Sequence, residues 1–279
     1  MTQKIPAEQL HPTWSEGQRK KHREVQDYTL MDDIFMSTVL SDPSACQHVL
    51  RIILQEPKLI VREVTTQKTM PQLYGKSPRL DVTAETPDGR ILNIEVQQQP
   101  EKHYGKRLRF YSGTMVSHLL LQGMNYDELP DQIMIYIGDT DIWKHGRTIY
   151  EFQMTEIHVV FPINDGLREI FVNTAVNDGT AIAQLMHYFT TADPYDMSQG
   201  DLSQKVNYYK VSQEGKRFMK SLSQQIYEDG RAEGNATGQG KSILTYMRKN
   251  NCELEAALKF FDIDETERLD IEKFVLANL

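Results

Sequence analysis

Cysteine is nearly absent. Cys46 and Cys252 are the two in 279 residues, and their wide separation excludes a disulfide framework or a CxxC metal knuckle. Long apolar runs are missing as well. The best, around positions 133–137 and 157–161, fall far short of the roughly 18 residues a membrane span needs. The opening residues are rich in Lys, Gln and Pro and lack the apolar stretch of a secretory signal. Positive charge is also short: 31 Lys and Arg stand against 39 Asp and Glu, a net charge of −8. That is awkward for a nucleic-acid partner, whose phosphates draw affinity largely from Lys and Arg. Distribution matters more than the sum. The last 29 residues hold eight acids against three bases, while basic clusters occur at 19–23 and 102–109. The balance of 39% hydrophobic and 25% charged residues excludes a fibrous or wholly disordered chain. The expectation is a soluble, cytoplasmic protein without membrane contact, of one large domain or two modest ones.

The chain reads as a flexible polar arm (1–24), a main domain (25–227), and a Gly-punctuated linker with a helical tail (228–279). Tyr28, Met31, Phe35 and Val39, spaced 3, 4 and 4, predict a helix over 25–40. Asp42-Pro43 supplies an N-cap followed by Pro at the first helical position, opening a second helix to about position 55. Strands are expected over 59–66, 132–137, 147–153, 156–161 and 167–172, and a hairpin over 79–98. Helices are expected over 101–122, 180–190 and 202–227. Gly230, Gly234 and Gly238 recur every four residues. Each costs about 1 kcal/mol in a helix relative to Ala, so they predict a hinge or frayed helix before two short amphipathic helices. The fold class is α/β: a mixed central sheet flanked by helices, with a small helical C-terminal tail.

The hairpin is the informative segment. Its turn is Pro87-Asp88-Gly89; with Gly89 in the left-handed position, Thr86 faces Arg90. Leu80 then meets Val96, Val82 meets Ile94 and Ala84 meets Leu92, giving one wholly apolar face. The other face sets Asp81 against Glu95, Arg79 against Gln97 and Thr83 against Asn93. A two-residue turn would mix the faces, which a half-buried sheet resists. Opposed carboxylates repel unless a cation lies between them. Oxygen-rich acidic sites of this kind suit Mg²⁺, which takes one or two carboxylates and keeps water and phosphate as its other ligands. The alternative from pattern alone is a solvent-exposed polar face.

The Asp81…Glu95-Val96-Gln97 arrangement resembles the PD-(D/E)XK nuclease core, in the variant with Gln in place of the usual Lys. Asp32-Asp33-Ile34-Phe35 and Leu40-Ser41-Asp42-Pro43 resemble the opening helices of the recombination-promoting nuclease (Rpn)/putative transposase family. Arg109-Phe110-Tyr111-Ser112, then Leu121-Gln122-Gly123, Tyr126 and Leu129-Pro130, are similar to the helix after that family's core. The resemblance covers roughly 25–240. It implies a restriction-endonuclease-like core and a DNA endonuclease tied to recombination, transposition or defence against mobile elements and phage. Asp81 and Glu95 would hold Mg²⁺, with Mn²⁺ as an alternative, and the ion would polarise the phosphoryl oxygen and activate water. Gln97 would orient that water without supplying positive charge.

A first-helix acid completes many such sites. Asp32 is three before Phe35 and four after Tyr28, near the inward face, whereas Asp33 points about 100° away. The spacing favours Asp32; otherwise both cap or solubilise the helix. Lys102, Lys106, Arg107 and Arg109 follow the catalytic strand and could contact phosphate. Of these, Lys102, Lys106 and Arg109 share one face, the alternative being solvated surface charge. Tyr111 and the Tyr208-Tyr209 pair are expected to pack. His158 and His187, among apolar residues, are expected in the core, and the histidines have no zinc-ligand spacing. Gly238–Ser242 ends like a P-loop, but Asn235 stands where that motif needs Gly, so nucleotide binding is rejected. Two further readings are a DNA-binding module that does not cut, and a scaffold docking through its acidic tail helices. The C-terminal helices could also join copies of the chain.

Overall fold

A computed structural model describes residues 25–70, 78–98, 104–263 and 265–279. The chain falls into two compact units, 24–216 and 217–279. The arm expected at 1–24 lies outside the described residues.

The first unit opens with a 3-10 turn, Val25–Asp27, and its first α-helix, α1, is Asp33–Leu40. The helix expected from position 25 therefore starts eight residues later. Asp32 is extended (φ −86°, ψ 119°) as its N-cap, and its Oδ2 accepts from the Thr29 N–H at 2.8 Å, closing a turn. Tyr28 still stacks on Phe35, with centroids 6.2 Å apart, which is why the periodicity runs on past the helix. Helix α2, Pro43–Ile53, is capped as its sequence demands: the Asp42 carboxylate accepts from Ser44 N and Ala45 N.

Strands β1 (Glu63–Thr69), β2 (Arg79–Glu85) and β3 (Ile91–Gln97) form an antiparallel meander. Expected from Leu59, β1 begins later because side chains of α2 occupy the preceding backbone. Arg51 Nε donates to Leu59 O at 2.8 Å, and Val61 N donates to Gln47 Oε1 at 3.0 Å. After β3, α3 (Tyr104–Leu119) crosses over to β4 (Gln132–Gly138), which is parallel to β3. Strand β8 (Leu167–Asn173) pairs parallel to β4, and β5 (Ile149–Phe152) pairs antiparallel to β8. The six-stranded order is β1-β2-β3-β4-β8-β5.

Leu108, Tyr111 and Met115 of α3 pack on Met134, Tyr136 and Phe171, covering one face of the sheet. Helix α1 packs against β1 and β2. Helix α2 packs on α4 (Ala181–Thr191) and α5 (Gly200–Val211).

The strand expected at 156–161 is instead the tip of a small hairpin, β6 (Thr155–Glu156) with β7 (Phe161–Pro162). Its turn forms because the Glu156 carboxylate accepts from His158 N and Val159 N. His158 is therefore exposed, and so is His187 on the outer side of α4, which corrects the core placement expected of both.

The helix expected at 202–227 breaks at Ser212, which is extended (φ −66°, ψ 149°) between α5 and α6 (Gln213–Asn250). In the second unit α6 passes Gly230, Gly234 and Gly238 without interruption, so the glycine run is no hinge. It also places Gly238–Ser242 inside a helix, with no loop to cradle a phosphate. Gly240 has a packing reason: a Cβ there would lie 2.3 Å from Phe274 Cδ1. Helices α7 (Leu254–Phe260) and α8 (Glu265–Leu276) complete this unit around Ile243, Leu258, Ile271 and Val275. Among the described residues, no helix is long and apolar enough to cross a membrane.

Candidate active site

The hairpin turn fixes the register. Gly89 adopts φ +88°, and Thr86 N donates to Arg90 O at 3.1 Å, so Pro87, Asp88 and Gly89 form the loop. The β2–β3 ladder then runs from Glu85↔Ile91 through Thr83↔Asn93 to Val82↔Ile94. The paired ladder ends there; the same register carried one step further brings Asp81 to Glu95. There the carboxylates take over the backbone pairing. Asp81 N donates to Glu95 Oε1 at 3.1 Å, and Val96 N donates to Asp81 Oδ2 at 3.1 Å. Each acid is thus anchored by a charge-assisted hydrogen bond from the facing strand.

This polar face is not surface. Helix α3 lies over it, leaving Asn93 at 0% and Glu95 at 2% exposure. Asn93 Nδ2 donates to Glu95 Oε1 at 3.0 Å, and Thr83 Oγ1 in turn donates to Asn93 Oδ1 at 3.4 Å. Glu95 Oε1 is satisfied twice. Its other oxygen, Oε2, is buried without a hydrogen bond; Arg107 Nη2 stands 3.8 Å away. Burial and then the Asp81 charge push the Glu95 carboxyl up to about 8, against the pull of Asn93 and Arg107. Burial also raises Asp81, to about 6, opposed by its bond from Val96 and assisted by the charge of Asp33.

The structure redistributes the remaining residues singled out by sequence. Asp32 is not on an inward helix face, because α1 begins after it. Its Oδ2 caps Thr29 and its Oδ1 accepts from Gln98 Nε2 at 3.2 Å, while Gln98 also donates to Met31 O at 3.0 Å. Asp33, at the start of α1, is the neighbour whose charge acts on Asp81. Gln97 lies beside the carboxylates, its Oε1 accepting from Arg107 Nη1 at 3.2 Å. Lys106 and Arg109 are exposed on α3, and Lys102 lies outside the described residues.

Spacing alone left Arg107 out of the basic stripe. It nonetheless reaches Gln97 and Glu95, and its Nε donates to the Tyr111 hydroxyl at 3.0 Å. The guanidinium lies 5.2 Å from the Tyr111 ring centroid. The available signal was apolar, not basic: Leu108, Tyr111 and Met115 mark the buried face of α3, and Arg107 precedes Tyr111 by one turn. Asn93 was legible only as the partner of Thr83.

Among the described residues, no three His, Cys, Asp or Glu side chains group to hold a metal ion. Two carboxylates do converge, with one buried oxygen left without a donor. That donor set fits an octahedral cation drawing its remaining ligands from water and phosphate.

Residues 44–182 match the family model described as PD-(D/E)XK nuclease family transposase. The matched stretch runs from α2 into α4 and contains the whole six-stranded sheet with its carboxylate rung. No curated protein and no solved structure matches the chain. Over residues 44–182 the chain matches the PD-(D/E)XK nuclease family transposases, and its mixed six-stranded sheet flanked by helices is consistent with their nuclease-like α/β fold.

Proposed function

We propose that the chain is a metal-dependent DNA endonuclease that hydrolyses phosphodiester bonds in recombination, transposition or defence against mobile elements. The observation that carries this reading is Glu95 Oε2, a buried carboxylate oxygen without a hydrogen-bond donor beside a second, half-buried acid, Asp81. Asp81 and Glu95 would hold Mg²⁺, or Mn²⁺ in its place, which supplies Lewis acidity and a water made acidic enough to attack.

The chain's own part is positioning. Asn93 and the Asp81 N–H hold one Glu95 oxygen and so aim the other. Gln97 offers its amide N–H₂ to the attacking water. Asp32 is the first-helix acid of this reading and with Gln98 fastens the start of α1 to the end of β3, while the charge of Asp33 acts on Asp81. Lys106, Arg109 and Lys102 would contact the DNA backbone, and the setting is the cytoplasm. Association of copies through the C-terminal helices, where Leu269 and Leu276 are exposed, is part of the same reading and is tested by the mass of the chain in solution.

The test is cleavage of supercoiled plasmid and of single-stranded DNA in Mg²⁺, Mn²⁺ and EDTA. Wild type should cut only with metal, and Asp81→Ala and Glu95→Ala should not cut while keeping their circular dichroism. Cleavage by either variant at the wild-type rate would remove the two acids from the site. DNA binding without metal-dependent cutting would select the non-cutting module instead.

A further inference from the structure

Hydrolysis of a phosphodiester concentrates negative charge. The oxygen of water bonds to phosphorus and releases a proton to solvent, the ester bond to the departing sugar oxygen breaks, and that oxygen takes a proton from solvent. Meanwhile the non-bridging oxygens carry extra charge through the transition state. A site lined by Asp81, Glu95 and a neutral Gln97 offers little to offset it. Arg107 is the cation that acts on both carboxylates; Arg79 also acts on Asp81 but is exposed at the end of β2.

We propose that Arg107 is the catalytic cation of this site, meeting the charge that develops on the scissile phosphate, and that it also sets the orientation of Gln97. The second part follows from donor chemistry. Arginine has only donors, so the group that Gln97 turns to Arg107 Nη1 at 3.2 Å is its carbonyl. The amide N–H₂ is then the end left to face a reacting oxygen. Gln97 and Arg107 thereby divide two duties, hydrogen-bond donation and positive charge, that a single ammonium could perform alone. Stacking on Tyr111 and the bond from Nε to its hydroxyl hold the guanidinium in place while one edge reaches toward Glu95.

This inference rests on the endonuclease reading, and its test keeps the two apart. Arg107→Gln, Arg107→Lys, Gln97→Lys and the double variant Gln97→Lys/Arg107→Gln are compared with wild type in plasmid nicking at saturating Mg²⁺. Binding of Mn²⁺ to the metal-free proteins is followed by calorimetry, which needs no turnover. Arg107→Gln should slow nicking about a hundredfold, the usual loss for one charge-stabilising donor. Arg107→Lys should nick at least about tenfold faster than Arg107→Gln because it keeps the charge, yet more slowly than wild type because an ammonium cannot keep the stacked, forked contacts. The double variant should recover at least about tenfold over Arg107→Gln, since an ammonium then stands in the site without a guanidinium beside it. Gln97→Lys alone should weaken Mn²⁺ binding about tenfold, and Arg107→Gln should tighten it by a similar factor. If wild type nicks DNA and Arg107→Gln nicks equally fast, the inference is overturned and the endonuclease reading stands. If Arg107→Gln slows nicking but the double variant recovers nothing, the charge assignment is overturned. A wild type that binds Mn²⁺ yet never nicks overturns the endonuclease reading; Mn²⁺ affinity unchanged by Arg107→Gln overturns the placement of its charge.

Discussion

Replacing Glu95 by glutamine removes one of two crowded acids and keeps the side chain's shape. The variant's Oε1 can still accept from Asp81 N and Asn93 Nδ2, the two donors that hold wild-type Glu95. What disappears is the cost of ionising a group at 2% exposure next to Asp81. Glu95 lies at about 8 instead of the ordinary 4.5, and Asp81 at about 6 instead of 3.8. The folded state therefore keeps protons that the unfolded chain releases. The stability tied to those protons is fully present below the unfolded values, 3.8 and 4.5, and is lost progressively above them, the loss being complete at about pH 6 for Asp81 and about pH 8 for Glu95. Each pKa unit corresponds to about 1.4 kcal/mol. With relaxation and water entry discounted, ionised Glu95 costs the metal-free wild type about 2–3 kcal/mol at pH 8 and no more than about 1 kcal/mol at pH 5.

Urea unfolding in EDTA at pH 5, 6.5 and 8 measures this directly. The stability of Glu95→Gln minus that of wild type should rise by about 2–3 kcal/mol between pH 5 and pH 8. Any pairing lost by the new amide is common to both conditions and cancels in that difference. So do other titrating groups outside this pair. Saturating Mg²⁺ at pH 8 should reverse the order, because a ligand that binds only the folded state stabilises the chain that binds it better. A variant–wild-type difference that stays flat with pH would refute the argument, since it would mean that Glu95 ionises in the fold as it does in water.

Gln98→Ala removes the bonds to Met31 O and Asp32 Oδ1; it should destabilise by about 1–2 kcal/mol and slow cleavage without changing DNA affinity, read by urea melts and fluorescence anisotropy. In α6, Gly238→Ala should stabilise by up to about 1 kcal/mol because its Cβ meets nothing within 4 Å. Gly240→Ala should instead destabilise by about 1–3 kcal/mol, because its Cβ would press on Phe274; thermal melts of the two variants should move in opposite directions.

The hairpin was legible because two independent rules agree on it. A Pro-Asp-Gly turn demands three loop residues, and strict alternation demands one apolar face; both give the observed register through Val82↔Ile94, beyond which Asp81 and Glu95 meet through their side chains. Where only one rule operated, the sequence misled. Tyr28 and Met31 continue the period of α1 because they pack in the same core, although their backbone is a turn closed by Asp32. Leu59 and Val61 have strand-forming side chains, yet their polar backbone atoms go to Arg51 and Gln47 of α2. The apolar neighbours of His158 suggested burial, but that segment is a hairpin tip with Ile157, Val159 and Val160 exposed beside it. The glycines of α6 carry a local penalty, and burial of Ile243, Leu258, Ile271 and Val275 in the same unit outweighs it.

The site divides along the same line. Its acids lie on strands, where a period of two and a known turn decide which side chains share a face. Its cation comes from a helix, and consecutive residues such as Lys106 and Arg107 diverge by about 100°, so the choice depends on how α3 is rotated over the sheet. That rotation is set by Leu108, Tyr111 and Met115, the apolar residues that must face inward. Once α3 covers the rung, water no longer screens the opposed carboxylates, and the protein must answer their charge itself. It does so with two backbone N–H groups, the Asn93 amide and, at 3.8 Å, the Arg107 guanidinium. The hydrogen bonds go to Glu95 Oε1 and Asp81 Oδ2, while Glu95 Oε2 receives none and has Arg107 Nη2 at 3.8 Å. A chain that merely needed to bury two acids would gain by satisfying that oxygen too, because an unpaired buried acceptor costs about 1–3 kcal/mol. Leaving it open is intelligible when the group that meets it is positively charged and comes from outside the chain.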